Sequence, residues 1–249
     1  MHARVLDPLG LSSTGFEPKG AARGHNQVDP GSDEHRPVED KYPRLRSPSG
    51  GLWSSVADLL RFAGHHLGGP GPLTSESVAE MQRAEISTAG YQYGLGWFLS
   101  EQGGLRIVEH GGSAAGYQSL LLLVPEKRVA FAALSNSSRG AAAIRDVREQ
   151  LGLAPELPDV PLSPAELDAF VGRYVGQGIE VDVATGDGHL RVEVSEFDPF
   201  TGQTSVNPSV RARPIGEGTF EITEGDWRGE RFNFPREEFV CLGVLAQRV

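Results

Sequence analysis

The distribution of apolar and polar residues divides the chain into one helix-rich stretch and two strand-rich stretches. Apolar residues recur at helical spacing over residues 56–67. Ser55 precedes them and predicts a capped helix start, with Asp58 as the capping-box partner. A weaker helical pattern covers residues 75–83. Residues 24–51 are instead rich in Gly, Pro, Asp and Ser and lack periodicity, which predicts a long loop.

Four strand-like segments follow, and the short turns between them predict antiparallel neighbours. They are residues 91–100, 105–113, 116–126 and 128–136. The last two are apolar on both faces, so each face of the sheet needs a covering layer. A helix over 140–151, with Ile144, Val147 and Leu151 on one stripe, adds to the helix over 56–67. The predicted helices leave the sheet one covering layer short. We therefore expect either a second subunit over the sheet or a missing part of the domain.

A second domain is predicted after a proline-rich linker. Prolines at 155, 158, 161 and 164 predict a stiff, extended spacer over 152–164, which separates domains at 1–151 and 165–249. The second domain begins with a short helix that leads into a strand, and five alternating segments follow. These segments are residues 179–183, 189–194, 219–223, 231–234 and 239–245. The fold class is therefore a partial α/β (α+β) domain, with an antiparallel sheet and flanking helices, followed by a small antiparallel β-barrel.

Composition excludes some classes of function. The formal net charge of −10 argues against a nucleic-acid partner, which needs clustered basic residues. Cys241 is the one cysteine, so no intramolecular disulfide forms. No run approaches the roughly 20 apolar residues of a membrane helix, and the N-terminus lacks the apolar core of a signal peptide. We expect no membrane span and, for the chain as it stands, a cytoplasmic location; the compartment of a longer parent stays open.

The sequence His110-Gly111-Gly112-Ser113 is the strongest candidate for chemistry, and two interpretations are open. It is either a strand end with a tight turn and a satisfied histidine, or a site. In a site, Gly111 and Gly112 let a substrate backbone lie along the strand, the Ser113 N–H faces a developing oxyanion, and His110 lies beside the reacting group. The nucleophile elbow of an α/β-hydrolase does not fit, because in "GGSAAG" the third glycine is one residue too far.

The remaining histidines do not predict a metal site. His65 and His66 are adjacent, and neighbouring side chains on a helix point about 100° apart, so they do not easily share one ion. We expect them, like His25 and His35, to be solvated surface residues. The acidic residues at 33–35 and 38–40 are expected in an exposed loop. Neither a metal nor another cofactor is predicted.

Four separated segments, in one order, carry a resemblance to a known family. They are residues 4–16, 48–69, 93–99 and 109–136. Together they resemble the C-terminal portion of the serine β-lactamase-like hydrolases, a family of class C β-lactamases, D-alanyl-D-alanine peptidases, D-aminopeptidases and related esterases. The resemblance covers about residues 4–151. The predicted barrel resembles the lipocalin-like C-terminal domain that some members carry.

The family's chemistry rests on three motifs, and the resemblance implies only the third here. His110-Gly111-Gly112 matches the H-x-G form of the K-T-G strand, which makes His110 and the Ser113 N–H catalytic and makes Gly111 and Gly112 substrate-binding. The Ser113 N–H would be one half of the oxyanion hole, and the nucleophile's own N–H the other. The S-x-x-K motif is absent, because Phe16, Val38 and Val124 precede the three lysines at that spacing. The Y-x-N motif is absent too, and the one S-x-N, at 205–207, lies out of order in the second domain.

These absences predict the C-terminal part of a longer enzyme, inactive on its own. The complete enzyme would take a small-molecule or short-peptide substrate, and a missing N-terminal segment or a partner chain would supply the nucleophile. Histidine is mostly neutral at pH 7, unlike lysine, so esters or small amides are expected before carboxylate-bearing β-lactams. Two alternatives stay open. The chain is a non-catalytic protein that binds a peptide or cell-wall ligand or pairs with a partner, or its barrel is the useful module.

Overall fold

The computed structural model describes most of the chain in two compact units. The described residues are 1–17, 20–28, 33–38, 47–87, 92–114, 116–154, 157–197, 204–216, 218–225, 227–236, 238–241 and 245–249. The first unit is built mainly from the residues before Leu157, and the second mainly from Leu157–Val249. The domain limits predicted from the sequence, at 1–151, 152–164 and 165–249, stay a prediction.

The helices are short and most lie in the first unit. They are α1 (Leu6–Leu9), α2 (Ser47–Gly50), α3 (Val56–His66), α4 (Ser75–Met81), α5 (Gly140–Gln150) and α6 (Pro164–Asp168), with 3₁₀ turns at His2–Arg4 and Pro125–Lys127. The predicted helices over 56–67, 75–83 and 140–151 are thus confirmed to within two residues at each end. Among the described residues, no helix is both long enough and apolar enough to span a membrane.

Helix α3 begins as predicted, but its capping box does not form. The Asp58 N–H donates to Ser55 Oγ at 3.2 Å, which caps the helix. The Asp58 carboxylate does not return this bond. It accepts from the Ser13 N–H and from Thr14 Oγ1, both at 2.8 Å, and pairs with Arg61 at 2.7 Å. Asp58 is 1% exposed, so the side chain joins two segments of the first unit and does not close the cap.

The predicted long loop over 24–51 contains a hairpin, so that prediction is wrong in part. Strands β1 (His25–Gln27) and β2 (His35–Pro37) pair antiparallel, and residues 29–32 and 39–46 of the predicted loop lie outside the described residues. Distant partners hold this hairpin: the His25 N–H donates to the Asn136 carbonyl at 3.0 Å. Such contacts leave no periodic signal in the local sequence.

A six-stranded antiparallel sheet forms the centre of the first unit. Its strands are β3 (Ile86–Ser87), β4 (Gln92–Tyr93), β5 (Phe98–Gln102), β6 (Leu105–Ala114), β7 (Tyr117–Val124) and β8 (Val129–Ser135), in that order across the sheet. The predicted segment 91–100 is two strands rather than one. Gly94 lies at the break, where its N–H donates to the Trp97 carbonyl at 2.8 Å. A Cβ on Gly94 would lie 2.3 Å from the Met81 carbonyl oxygen, so the turn packs too closely for another residue.

The side chains of β7 alternate between two hydrophobic cores, one on each face of the sheet. Leu121 and Leu123 pack with the α3 side, in a cluster that includes Ala63. Leu120 and Leu122 pack on the opposite face with Ile144 of α5. Each face of the central strands therefore carries a helix, and the predicted shortage of one layer is wrong over β7. The stripe on α5 is also narrower than predicted, because Val147 and Leu151 are largely exposed.

The second unit is an antiparallel barrel, as predicted. Its strands are β9 (Gly172–Gly176), β10 (Ile179–Gly186), β11 (His189–Phe197), β12 (Thr204–Val206), β13 (Val210–Gly216), β14 (Thr219–Ile222), β15 (Arg231–Arg236), β16 (Phe239–Cys241) and β17 (Leu245–Arg248). The strand order is β10-β9-β17-β16-β15-β14-β13-β11, and the additional pairing of β10 with β11 closes the ring. Strand β12 pairs with residues 195–197 of β11, beyond the stretch that pairs with β13. Apolar side chains such as Tyr174, Phe220 and Phe232 fill the interior. The lipocalin-like resemblance stays a prediction.

Candidate active site on strand β6

Strand β6 extends beyond the strand on one of its sides. Strand β5 pairs with β6 from Leu105 to Glu109, while β7 pairs with β6 as far as Ala114. In the part of the chain that the structure describes, residues 110–114 therefore have a strand neighbour on one side only. Because backbone N–H and C=O groups alternate sides along a strand, about half of those in this stretch face the open side. These groups form no ladder hydrogen bonds with a described strand.

The two glycines lie within the strand and not in a turn. Gly111 and Gly112 both belong to β6, and neither has a positive φ. A Cβ on Gly112 would lie 2.5 Å from Ser119 Oγ, so this hydroxyl would have to rotate to admit another residue. The tight turn of the first interpretation is therefore wrong at these positions. The bare backbone that the second interpretation requires is present.

His110 is an exposed residue held by its own strand and by a tyrosine. Its Nδ1 lies 2.6 Å from the Gly111 carbonyl oxygen, and its Nε2 lies 3.5 Å from Tyr93 Oη. The ring also lies 5.5 Å from that of Phe98. The sequence motifs do not identify Tyr93 or Phe98 as candidates. Both fall in the segment 93–99 that carries part of the family resemblance, and this was the only signal.

The Ser113 side chain does not face His110. Successive side chains of a strand point to opposite faces, and three positions separate these two residues. Ser113 Oγ accepts a hydrogen bond from Gln118 Nε2 at 3.0 Å, across the β6–β7 pair. The strand thus brings His110, Gly111, Gly112 and Ser113 together as one stretch, but leaves the Ser113 hydroxyl away from the imidazole. The roles predicted for these four residues stay predictions.

A buried ion pair precedes His110 and ties β6 to α5. Glu109 Oε2 lies 2.8 Å from Arg148 Nη2, and both side chains are largely buried. Arg148 Nε also donates to the Leu153 carbonyl at 2.7 Å, so the guanidinium is held from two directions. Removing one partner of such a pair leaves a buried charge without compensation. The pair therefore fixes the strand immediately before the candidate residues.

A loop is pinned beside the far end of β6 and β7. Tyr117 Oη accepts from the Gly24 N–H at 2.7 Å and donates to the Ala22 carbonyl at 3.2 Å. The Tyr117 ring meets Trp53 edge-on at 5.3 Å, and Asn136 Nδ2 donates to the Arg23 carbonyl at 2.8 Å. These contacts fix the position of the loop against the end of the β6–β7 hairpin.

His65 and His66 are buried, so their predicted place on the surface is wrong. His65 Nδ1 lies 3.1 Å from the Gly69 carbonyl oxygen, and His65 Nε2 accepts a hydrogen bond from the Leu73 N–H at 3.2 Å. His66 is 3% exposed, and its ring lies 5.1 Å from that of Trp97. Burial, with the neighbouring His65, lowers the pKa of His66 to about 4. Within the described ranges, no three His, Cys, Asp or Glu side chains group as a metal site.

Comparison with known proteins decides the family. The family model described as Beta-lactamase matches residues 1–154, more than half of the chain. The chain belongs to the beta-lactamase family. This confirms the resemblance to serine β-lactamase-like hydrolases over the first unit.

Two curated relatives in this family cover different shares of the chain. Penicillin-binding protein 4 of Amycolatopsis lactamdurans is 31% identical over 206 residues, which are 72% of this chain and 53% of the relative. The human protein putative beta-lactamase-like 1 is 32% identical over 132 residues, which are 50% of this chain and 26% of that protein. The chain thus spans about half of the first relative and a quarter of the second.

Solved structures show the same fold over nearly the whole chain. The octameric penicillin-binding protein homologue from Pyrococcus abyssi has a TM-score of 0.54 at 22% identity, over 98% of this chain and 58% of that one. The protein SurE has a TM-score of 0.63 at 20% identity, over 99% of this chain and 62% of that one. At these identities the likeness concerns the fold alone. The fold class predicted from the sequence is confirmed.

Proposed function

We propose that this chain supplies the substrate-binding edge and half of the oxyanion hole of a serine acyl-hydrolase. His110 lies beside the reacting group, Gly111 and Gly112 line the bound substrate, and the Ser113 N–H faces the oxyanion. The observation that carries the proposal is the open side of β6 over residues 110–114. A preorganised backbone donor of this kind stabilises charge that develops in acyl transfer.

The nucleophile of this reaction comes from outside the 249 residues. No S-x-x-K motif occurs in the sequence, and the family's acylation starts from that serine. Strand β8 has an edge on which an added strand could pair, because among the described strands it pairs with β7 alone. Large apolar side chains on β8 and α3 are also exposed at about two fifths of their surface: Val56 at 40%, Leu60 at 41% and Leu134 at 42%. A segment that covers them would remove this apolar surface from water.

The substrate class follows from the residue at position 110. A lysine would hold a fixed positive charge, suited to a substrate carboxylate, whereas a histidine supplies no fixed charge. Its Nδ1 is also committed to the Gly111 carbonyl. We therefore expect esters, small amides or short D-amino-acid peptides to react faster than carboxylate-bearing β-lactams.

The first test asks whether the chain acts alone. The purified chain is treated with a serine-reactive fluorophosphonate, and labelled peptides are identified by mass spectrometry. We expect no specific labelling. Labelling at Ser113, or at any other serine, would overturn the expectation that the chain alone is inactive.

The second test asks whether an upstream segment restores activity. The DNA upstream of the Met1 codon is read for S-x-x-K, and any such segment is supplied in trans or in the same chain. Labelling and ester hydrolysis should appear with that segment and should fall in a His110→Ala variant, while the matched exposed variant His2→Ala keeps them.

A second candidate function is peptide binding without catalysis. It is favoured by the two buried cores of the first unit, which give the sheet a helix on each face without another chain. The open edge of β6 would then accept a peptide as an added strand. The test is a nuclear magnetic resonance titration of the chain with a peptide that ends in D-Ala-D-Ala. Shifts confined to the amides of 110–114, together with no upstream S-x-x-K, would favour binding over catalysis.

A further inference from the structure

Tyr93 contacts the imidazole of His110, although neither the motif nor the resemblance assigns it a role. Its hydroxyl lies 3.5 Å from His110 Nε2, and the two ring centroids are 6.4 Å apart. Of the two ring nitrogens, Nε2 is the one that faces this hydroxyl, since Nδ1 contacts the Gly111 carbonyl oxygen at 2.6 Å.

The identity of these partners favours one of the two neutral tautomers. A carbonyl oxygen only accepts hydrogen bonds, so the 2.6 Å contact requires a proton on Nδ1. In a neutral imidazole the other nitrogen, Nε2, then has a lone pair and accepts. The Tyr93 hydroxyl both donates and accepts, so it donates to Nε2 in this state. The neutral ring is therefore the Nδ1–H tautomer, with its acceptor towards Tyr93.

Tyr93 is held in place by strands on both sides. Its backbone pairs with Ile86 of β3 and with Phe98 of β5. The Tyr93 carbonyl also accepts from the Glu85 N–H at 2.9 Å. The ring packs edge-on against that of Phe98 at 4.7 Å. The hydroxyl thus comes from the sheet itself, and a hydrogen bond from a fixed donor selects one state of its acceptor better than one from a mobile side chain.

We propose that Tyr93 is a positioning residue that, together with the Gly111 carbonyl, holds neutral His110 as the Nδ1–H tautomer. A substrate at the open edge of β6 then meets an imidazole whose available acceptor is Nε2. The importance of this for catalysis rests on the proposed function, but the tautomer itself does not. It is a property of the chain as it stands and needs no turnover.

The experiment reads the tautomer directly. The chain is labelled with ¹⁵N at its seven histidines, and long-range ¹H–¹⁵N spectra distinguish Nδ1 from Nε2. Spectra are recorded at about pH 8, where an ordinary histidine is neutral. The His110 signals are assigned by their loss in His110→Gln. Wild-type His110 should show the Nδ1–H pattern, and Tyr93→Phe should shift the tautomer ratio towards Nε2–H by about two- to tenfold, the factor that one ordinary hydrogen bond supplies.

A matched control removes a different tyrosine hydroxyl from the same unit. Tyr117→Phe should leave the His110 tautomer ratio unchanged, because the Tyr117 hydroxyl binds the Gly24 N–H and the Ala22 carbonyl. A Nε2–H pattern in the wild-type chain overturns the proposal without any variant, which covers the case of a Tyr93→Phe chain that does not fold. An unchanged ratio in folded Tyr93→Phe overturns it as well. The tautomer ratio can respond as expected while the chain, supplied with an upstream S-x-x-K segment, still gains no ester hydrolysis. That pair of results would support the role of Tyr93 and refute the proposed function.

Discussion

The first prediction concerns the buried ring of His66, whose substitution should change how stability depends on pH. His66 is 3% exposed, and its two ring nitrogens lack hydrogen-bond partners among the described residues. Its ring packs against Phe62 at 4.6 Å and Trp97 at 5.1 Å. This setting disfavours the charged form, which is why the pKa of His66 falls to about 4.

The sign and size of the effect follow from linkage between proton binding and unfolding. In the unfolded chain a histidine has a pKa of about 6.5, so below that pH the unfolded state takes up a proton that the folded state refuses. The stability is complete above about pH 6.5 and declines as the pH falls towards 4, the folded pKa. Linkage over this interval gives a loss of about 2 kcal/mol at pH 5 and about 3 kcal/mol at pH 4.

The assay compares wild type with His66→Phe in urea titrations at about pH 7 and about pH 5. Incorporated 5-fluorotryptophan gives Trp97 its own ¹⁹F signal, which reports on the unit that contains His66. Wild type should lose about 2 kcal/mol more between the two conditions than His66→Phe. The exposed variant His2→Phe should behave as wild type. Equal losses in wild type and His66→Phe would refute the assignment of the pH dependence to this ring.

Three further predictions use the same urea titration at neutral pH. Arg148→Met should cost about 3 kcal/mol because it leaves Glu109 buried without its partner, and Glu109→Gln added to it should recover part of the loss. Leu122→Ala should cost about 3 kcal/mol, because the side chain is 0% exposed between β7 and α5 and its loss leaves a cavity. Ser55→Ala should cost about 1 kcal/mol, because it removes the acceptor at the start of α3.

Each of these three has an outcome that contradicts it. A double variant as unstable as Arg148→Met alone would show that the uncompensated charge is not the cause. A cost below about 1 kcal/mol for Leu122→Ala would mean that the site is not close-packed. Ser55→Thr keeps the acceptor and should stay near wild type, so an equal loss in Ser55→Thr and Ser55→Ala would remove the cap as the explanation.

The site was only partly visible before the tertiary structure. His110 and its glycines stand out because a His-Gly-Gly sequence is unusual within an apolar strand and matches a family motif. Tyr93 belongs to no such motif, and its partner is 17 positions away, beyond another strand. The burial of His65 and His66 could not be predicted either, because the packing partner Trp97 is distant in the sequence. Two adjacent histidines give the same local pattern on an exposed or a buried helix end, and only packing against Trp97 distinguishes the two.

The sequence by itself determined what local periodicity and local chemistry control. Helix α3 follows from apolar residues at helical spacing after a serine cap, and the barrel strands follow from alternation with period two. Only the tertiary structure decided what contacts between distant residues control. One such feature is the β1–β2 hairpin, which is held by contacts with Asn136 and Tyr117. Another is the burial of the Asp58 side chain, which bonds to Ser13 and Thr14. A third is the extension of β6 by five residues beyond its pairing with β5. Periodicity acts through neighbours on one element, whereas such contacts join elements whose positions the whole fold sets.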